Sequence, residues 1–170
     1  MEKTLRVLVE LERKGIIEKY PIGGGIAAIF YMEPMLTYDL GVFVFLPESS
    51  TGLVTLSPAY EYLRKRGYKA RGEHVMIEGV PVQLIPAYNA LVEEAVSEAR
   101  QMLYKRTRTR VLRAEHLLAI MLQTYRPKDR ARMTQLLEEV GIDMEYLTKV
   151  LRRHRLSQKW QEFRRRFYGD

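Results

Sequence analysis

The stretch from Tyr20 to Leu46 constrains the fold of this chain more than any other part of it. It begins with three consecutive glycines at positions 23–25, continues as an apolar run of helical character and ends in a strand-like run, Leu40 to Leu46. A glycine loop that leads into a helix can expose backbone N–H groups to a phosphate. A carboxylate at the start of the next strand, here Asp39, could hold a metal ion over that phosphate. The chemistry of the chain depends on whether these two features belong to one site.

The composition is that of an ordinary globular protein, with 170 residues, 46% of them hydrophobic and 29% charged. This length suits one domain, or one domain with a helical appendage. No apolar run approaches the length of a membrane span, and charges interrupt the N-terminal segment, so we expect no secretory signal. The absence of cysteine excludes disulfides, thiolate catalysis and cysteine-based zinc sites. We expect a cytoplasmic protein that does not enter a membrane.

The net charge of +7 is unevenly distributed along the chain. Residues 1–99 carry 10 Lys and Arg against 13 Asp and Glu, whereas residues 100–170 carry 18 against 8. Such asymmetry favours an anionic partner, such as a nucleoside triphosphate, RNA or DNA. A set of solvated helix faces would produce the same asymmetry, so charge alone leaves both interpretations open.

Hydrophobic periodicity predicts a mixed α/β half followed by an all-helical half. In the first half it predicts helices over 3–14, 26–32, 58–67 and 87–103, strands over 16–22 and 40–46, a loop at 49–52, and a hairpin of 73–77 with 80–85. After a short extended piece at 111–112, it predicts helices over 114–125, 127–140, 143–155 and 157–168. We therefore expect an α/β core over 1–110 and a helical subdomain over 111–170, packed together as one compact unit.

The predicted strand carries half of a familiar metal-binding pattern. Residues two apart in a strand point to the same face, so Asp39 and Gly41 share one. Two-metal phosphoryl-transfer sites use carboxylates at this spacing to hold ions about 3.5–4 Å apart. Here the first position is an aspartate and the second a glycine.

Two segments, GGGIAAIFY…EPMLTYDLGVFVF and VLRAEHLLAIMLQTYRPKDRARM, give the chain a family resemblance. It resembles the nucleotidyltransferase fold of the DNA polymerase β superfamily, in particular the small abortive-infection and type IV toxin–antitoxin nucleotidyltransferases. In those relatives a Gly-Gly or Gly-Ser loop precedes a helix, a strand starts with Thr-x-Asp-hydrophobic-Asp, and a basic helix carries a Lys-Asp pair. The resemblance covers roughly residues 20–46 and 80–140. It implies a small mixed sheet with flanking helices, then a C-terminal helical subdomain, with the nucleotide in the cleft between them.

The resemblance also implies a role for five residues. Gly24 and Gly25 would present backbone N–H groups to the nucleotide phosphates. Asp39 would be the catalytic Mg²⁺ ligand, and Lys128 would contact the triphosphate. Asp129 would orient that lysine or assist the acceptor. The basic C-terminal helices would hold tRNA or another RNA, and an antitoxin protein would be a partner.

Two departures from the family pattern leave the activity open. Glycine at position 41 supplies no second metal carboxylate, and the third carboxylate position falls near Gln83, which is neutral. The first interpretation is a Mg²⁺-dependent nucleotidyltransferase with a degenerate metal site, which moves a nucleoside monophosphate from an NTP to an RNA end or a protein hydroxyl. The second is a non-catalytic nucleotide- or RNA-binding module that has lost metal-dependent activity. A basic DNA-binding protein is a third interpretation, for which the chain shows no recognition-helix signature.

The three histidines are predicted to lie outside any metal site. His74, His116 and His154 are far apart in the chain and lack metal-ligand spacing. His116 falls in an amphipathic helix, where the edge of the core is the expected environment.

Overall fold

A computed structural model describes residues 1–32, 38–47 and 55–169. Within these ranges the chain forms seven strands and eight helices. The strands are β1 Ile22–Gly23, β2 Leu40–Val44, β3 Lys69–Arg71, β4 His74–Ile77, β5 Val80–Pro86, β6 Arg100–Tyr104 and β7 Thr107–Val111. The helices are α1 Glu2–Arg13, α2 Gly24–Ile29, α3 Ser57–Lys65, α4 Ala90–Ser97, α5 Ala114–Thr124, α6 Pro127–Glu139, α7 Met144–Arg153 and α8 Ser157–Tyr168.

All seven strands belong to one mixed sheet in the order β3-β4-β5-β2-β1-β7-β6. Strand β2 lies at its centre, parallel to β5 and antiparallel to β1, and all five of its residues are buried. The continuous apolar run of β2 predicted a strand buried on both faces, and that prediction is confirmed. Strand β1 also runs parallel to β7, so the glycine loop lies between the two halves of the sheet.

The helical half packs onto the sheet through α5. Residues Ala114 to Leu122 of α5 are all buried, including the polar Glu115 and His116. This helix was expected to be amphipathic, but other elements enclose it on every side. Helix α5 contacts α2 and α4 from the first half and α6 and α7 from the second. One hydrophobic core consequently extends from Leu5 in α1 to Phe163 in α8. The predicted fold class, a small mixed sheet with flanking helices and a helical C-terminal region, is confirmed, whereas the division at residue 110 stays a prediction.

The long helix predicted over 87–103 is wrong. Helix α4 ends at Ser97, and β6 then pairs antiparallel with β7 across a turn in which Lys105 has φ 52°. A short apolar run fits a helix and a strand equally well, so the apolar pattern of α4 was extended through Met102 and Leu103. Residues 100–104 form a strand because they pair with β7. Strand β7 has a clear strand pattern, in which the buried Thr107, Thr109 and Val111 alternate with outward arginines.

Smaller differences concern the ends of the elements. The strand predicted over 16–22 is reduced to β1, with one bridge between Lys19 and Phe45, and the helix predicted over 26–32 begins at Gly24 and ends at Ile29. Strand β3 was not predicted because its three residues are exposed and polar or small. The loop predicted at 49–52 lies outside the described residues. Across residues 1–32, 38–47 and 55–169, no helix is long and apolar enough to cross a membrane.

Candidate functional site

One cleft between the sheet and helices α5 and α6 collects every residue that the sequence analysis singled out for a nucleotide site. Its sheet side is lined by Gly24, Gly25, Asp39, Gly41 and Gln83. Its helical side is lined by Thr124, Arg126, Lys128, Asp129 and Arg132. The glycine loop and the strand-entry aspartate therefore line the same cleft.

The floor of the cleft is a row of residues on neighbouring strands. Gly41 of β2 pairs with Gln83 of β5 on one side and with Gly23 of β1 on the other. Because Val75 of β4 pairs with Val82, His74 lies next to Gln83 and extends the row. The two positions where the family resemblance implies further carboxylates thus lie side by side, and both are neutral. The Gln83 side-chain amide donates a hydrogen bond to Glu73, 3.1 Å away.

Asp39 lies at the entrance to this floor, with 37% of its side chain exposed. Its Oδ2 atom is 3.7 Å from Nε2 of His74, which brings an imidazole to the one aspartate of the sheet side of the cleft. The expectation that His74 lies outside any metal site rested on its distance from the other two histidines in the chain, and its position beside Asp39 was not predicted. The pairing of β5 with both β2 and β4, which no local pattern shows, brings the two residues together.

Asp129 is buried, and its carboxylate is fully engaged at the start of α6. It accepts hydrogen bonds from Thr124 Oγ1 at 2.8 Å and from Arg126 Nε at 2.7 Å, Nη2 at 3.2 Å and the backbone N–H at 3.2 Å. Burial raises the pKa of this carboxyl, but the hydrogen bonds from Arg126 and Thr124 outweigh burial and leave its pKa below the usual value. The carboxylate is therefore charged, and its hydrogen bonds go to Thr124 and Arg126. That Asp129 orients Lys128 or assists the acceptor stays a prediction. An acid at the third position of a helix reaches back to the capping residue, which here is Arg126.

Three cations face the glycines across the cleft. Arg126 is held by Asp129 through Nε and Nη2, which leaves Nη1 available to a ligand. Lys128 and Arg132 lie one turn apart on α6 and both line the cleft. Neither forms an ion pair or hydrogen bond with another side chain in the described part of the chain. Lys128 was among the residues predicted to contact the nucleotide, whereas Arg126 and Arg132 were not. Their positions two residues before and four residues after Lys128 were a signal for both.

The small size of Gly41 is not required by packing. A Cβ atom built there would meet the Gly23 carbonyl oxygen at 3.7 Å, an ordinary van der Waals contact. A Cβ atom at Gly23 would instead approach the Phe43 ring to 2.3 Å, so that glycine is required by the close approach of β2. Gly24 has φ 61°, a conformation that favours glycine at the turn into α2.

The donor set does not fit the pair of divalent ions that the family resemblance implies. Such a pair needs several carboxylate oxygens on the floor of the cleft. Asp39 supplies one carboxylate, Gly41 supplies none, and Gln83 supplies a neutral amide, whose nitrogen donates a hydrogen bond to Glu73. The described residues contain no cluster of three metal-binding side chains. The arrangement can bind an anion, because three cationic side chains and the first backbone N–H groups of α2 line the same cleft.

No family model and no curated protein matches this sequence. Among solved structures, it is similar to an antigenic nucleotidyltransferase-like protein from Paracoccidioides brasiliensis, with a TM-score of 0.55 and 11% identity over 94% of this chain and 93% of that one. It also aligns with ANT(2")-Ia in complex with adenylyl-2"-tobramycin, at a TM-score of 0.49 and 14% identity over 98% of this chain and 95% of that one. At 11% identity the first of these likenesses bears on the fold alone. The chain has the nucleotidyltransferase fold.

Proposed function

We propose that this protein binds a nucleoside triphosphate in the cleft and transfers its nucleoside monophosphate to a hydroxyl group of an RNA end or a protein. The observation that carries the proposal is that Gly24 and Gly25, Asp39 and Lys128 all line the same cleft. An anionic chain of phosphates matches the cations on one side and the backbone N–H groups on the other.

Arg126 is the best-organised of the phosphate-binding groups. Its guanidinium is fixed by two hydrogen bonds to a buried carboxylate, so it loses little freedom when it binds a ligand. A guanidinium also binds phosphate oxygens in a forked geometry that an ammonium cannot copy. Lys128 and Arg132 add charge along the same side of the cleft. We infer that these three residues bind the β- and γ-phosphates.

The transfer itself is an in-line displacement at the α-phosphorus. The acceptor oxygen forms a bond to phosphorus, the bond to the β-phosphate bridging oxygen breaks, and pyrophosphate leaves with the electron pair. The proton of the acceptor hydroxyl passes to a base, and the pair of His74 and Asp39 provides two candidates. Cations on the protein neutralise the leaving pyrophosphate. No step in this scheme depends on a pair of metal ions, and Mg²⁺ binding by Asp39 stays a prediction.

Isothermal titration calorimetry with each of the four NTPs tests the binding step. Lys128→Ala is expected to weaken binding roughly 5- to 20-fold, the loss of one charge-assisted contact to phosphate. Lys149→Ala is the matched control, because it removes one lysine from α7 that is paired with Glu145 at the surface. Equal affinities in the two variants would place the triphosphate elsewhere.

A non-catalytic binding module is the second candidate, and the neutral pair Gly41 and Gln83 favours it. It predicts NTP or RNA binding that is indifferent to Mg²⁺ and no transfer of the α-phosphate. Incubation with α-labelled NTPs, RNA and protein acceptors, in Mg²⁺ or Mn²⁺, separates the two. Label on an acceptor supports the transferase, whereas bound NTP without any labelled acceptor supports the module. An antitoxin partner stays a prediction from the family resemblance.

A further inference from the structure

A second cationic surface lies at the β6–β7 hairpin. Residues 100–110, RQMLYKRTRTR, contain five Lys and Arg and no acidic residue. The hairpin lies beside α1, and a groove between the two is lined by Arg6, Val9, Glu10 and Arg13 of α1 and by Arg106, Thr107 and Arg108 of the hairpin. We call this surface, with the three arginines Arg13, Arg106 and Arg108, the hairpin groove.

Of the four arginines that line the groove, Arg6 is paired with Glu2, and the other three carry most of its positive charge. Arg110 is paired with Glu12 at 2.6 Å, and Arg6 with Glu2 at 2.8 Å, so these two arginines are accounted for. Within the described ranges, Arg13, Arg106 and Arg108 form no ion pair. Glu10, the acidic residue of the groove, is engaged by Tyr62 and Arg66. Three cations crowded into one groove repel each other, and a polyanion would relieve that repulsion.

Protection of a sheet edge accounts for at most one of these arginines. Lysine and arginine on an edge strand commonly prevent pairing with another sheet. Only Val111 of β7 pairs with β1, so Arg108 lies on an open stretch of β7, whereas Arg106 lies at the turn and Arg13 lies on α1. Outward positions of a strand repeat at roughly 6.8 Å, so the hairpin presents its guanidiniums as a row.

We propose that the hairpin groove binds the sugar–phosphate backbone of single-stranded RNA. Guanidinium forks bind phosphate oxygens in pairs, and a groove admits a chain of phosphates that a flat lipid surface cannot follow. Leu103, 66% exposed, lies directly across from Arg108 and offers an apolar contact to an unstacked base. This assignment does not depend on nucleotide binding in the cleft, and it differs from the expectation that the C-terminal helices hold RNA.

Fluorescence anisotropy with a short labelled single-stranded RNA, measured over a range of salt concentrations, tests the assignment. The test variant is Arg13→Gln/Arg106→Gln/Arg108→Gln. The control variant is Arg152→Gln/Arg155→Gln/Arg165→Gln, which removes three exposed arginines from the C-terminal helical region and leaves the same net charge. The test variant is expected to bind RNA at least tenfold more weakly, with a salt dependence reduced by about 2 in the slope of log K against log salt. The control variant is expected to stay within about twofold of wild type, the size of a general charge effect.

Equal losses in the two triple variants, or a larger loss in the control variant, would overturn the proposal. So would tighter binding of phosphatidylserine vesicles or polyglutamate than of RNA at the same salt concentration. Thermal unfolding and NTP calorimetry of each variant show that the fold and the cleft are intact. If the test variant unfolds at a lower temperature than wild type, the single variant Arg106→Gln, a change at an exposed turn, replaces it. Its RNA affinity is expected to fall about threefold, and an unchanged affinity would contradict the proposal. Failure of NTP binding with RNA binding intact would count against the proposed function alone.

Discussion

Asp129 and Lys128 are neighbours in the chain with opposite environments. The Asp129 carboxylate is buried and joins the end of α5 to the start of α6 through Thr124 and Arg126. Lys128 is exposed beside the cleft. The structural role thus belongs to Asp129, and the proposed contact with the ligand belongs to its neighbour Lys128.

Asp129→Ala is expected to destabilise the protein by about 2 to 3 kcal/mol, because it removes a buried charged acceptor from several donors. Lys128→Ala is expected to change stability by less than about 0.5 kcal/mol, as for an exposed residue without a partner. Urea denaturation of both variants measures the difference. Equal stability of the two would contradict the buried network around Asp129.

Gly41→Asp is expected to fold and to create affinity for a divalent ion, since it completes the carboxylate pair with Asp39 where a side chain fits. Titration with Mn²⁺, followed by electron paramagnetic resonance, measures that affinity. Gly23→Ala is the contrasting variant, expected to cost about 1 to 3 kcal/mol because its Cβ would overlap the Phe43 ring. A folded Gly41→Asp protein with no gain in Mn²⁺ affinity would show that position 41 does not face the site.

At the scale of elements, one carboxylate ties three helices together. Glu94 of α4 lies 3.2 Å from His116 Nε2 of α5, and 2.8 Å from both Arg153 Nη1 and His154 Nε2 at the end of α7. Burial raises the pKa of Glu94, but hydrogen bonds from Arg153, His154 and His116 outweigh it and lower the pKa to about 2. Burial lowers the pKa of His116 and favours its neutral form. Histidines that are distant in the sequence thus meet on one acid.

This network predicts a loss of stability in acid. The depressed pKa of Glu94 stabilises the fold above pH 4.5, and that contribution is lost as the pH falls from 4.5 to about 2. His116 adds a loss that begins below pH 6.5, because the unfolded chain binds a proton that the buried ring resists. Urea denaturation across pH should show both. Glu94→Gln is expected to cost about 2 to 3 kcal/mol at pH 7 and to flatten the profile below pH 4.5. An unchanged acid profile in that variant would contradict the pKa assignment.

Elements with strong local patterns were predictable, and elements that depend on pairing were not. The apolar run of β2 and the periodic helices α5 to α8 carry their own signals, so the predicted and observed ranges differ by few residues. Strand β6 has no such signal, because its apolar residues continue the pattern of α4 and its identity depends on β7. The short strands β1 and β3 likewise exist through their neighbours.

For the molecule as a whole, the sequence predicted residues that line one cleft, but it did not predict that His74 lies beside Asp39. Motif order pointed to Gly24, Gly25, Asp39 and Lys128, and the fold brings them together. His74 and Asp39 are close in space because strands distant in the sequence pair with each other, and no local sequence pattern shows that pairing.

The molecule has two separate positively charged surfaces. The cleft is lined by three cationic side chains and the hairpin groove by four, and the two surfaces are built from different elements. An RNA acceptor bound at the groove and a nucleotide bound in the cleft would engage both surfaces of the same chain.

The central claim is that the cleft binds the triphosphate, and backbone amide chemical shifts test it most directly. Titration of the ¹⁵N-labelled protein with an NTP should shift the amides of Gly24, Gly25 and Lys128 in a saturable way. The amides of Arg106 and Arg108 in the hairpin groove should remain unchanged at the same NTP concentration. The shifts should require higher NTP concentrations in Lys128→Ala. Shifts confined to the hairpin groove, or none at all, would contradict the account.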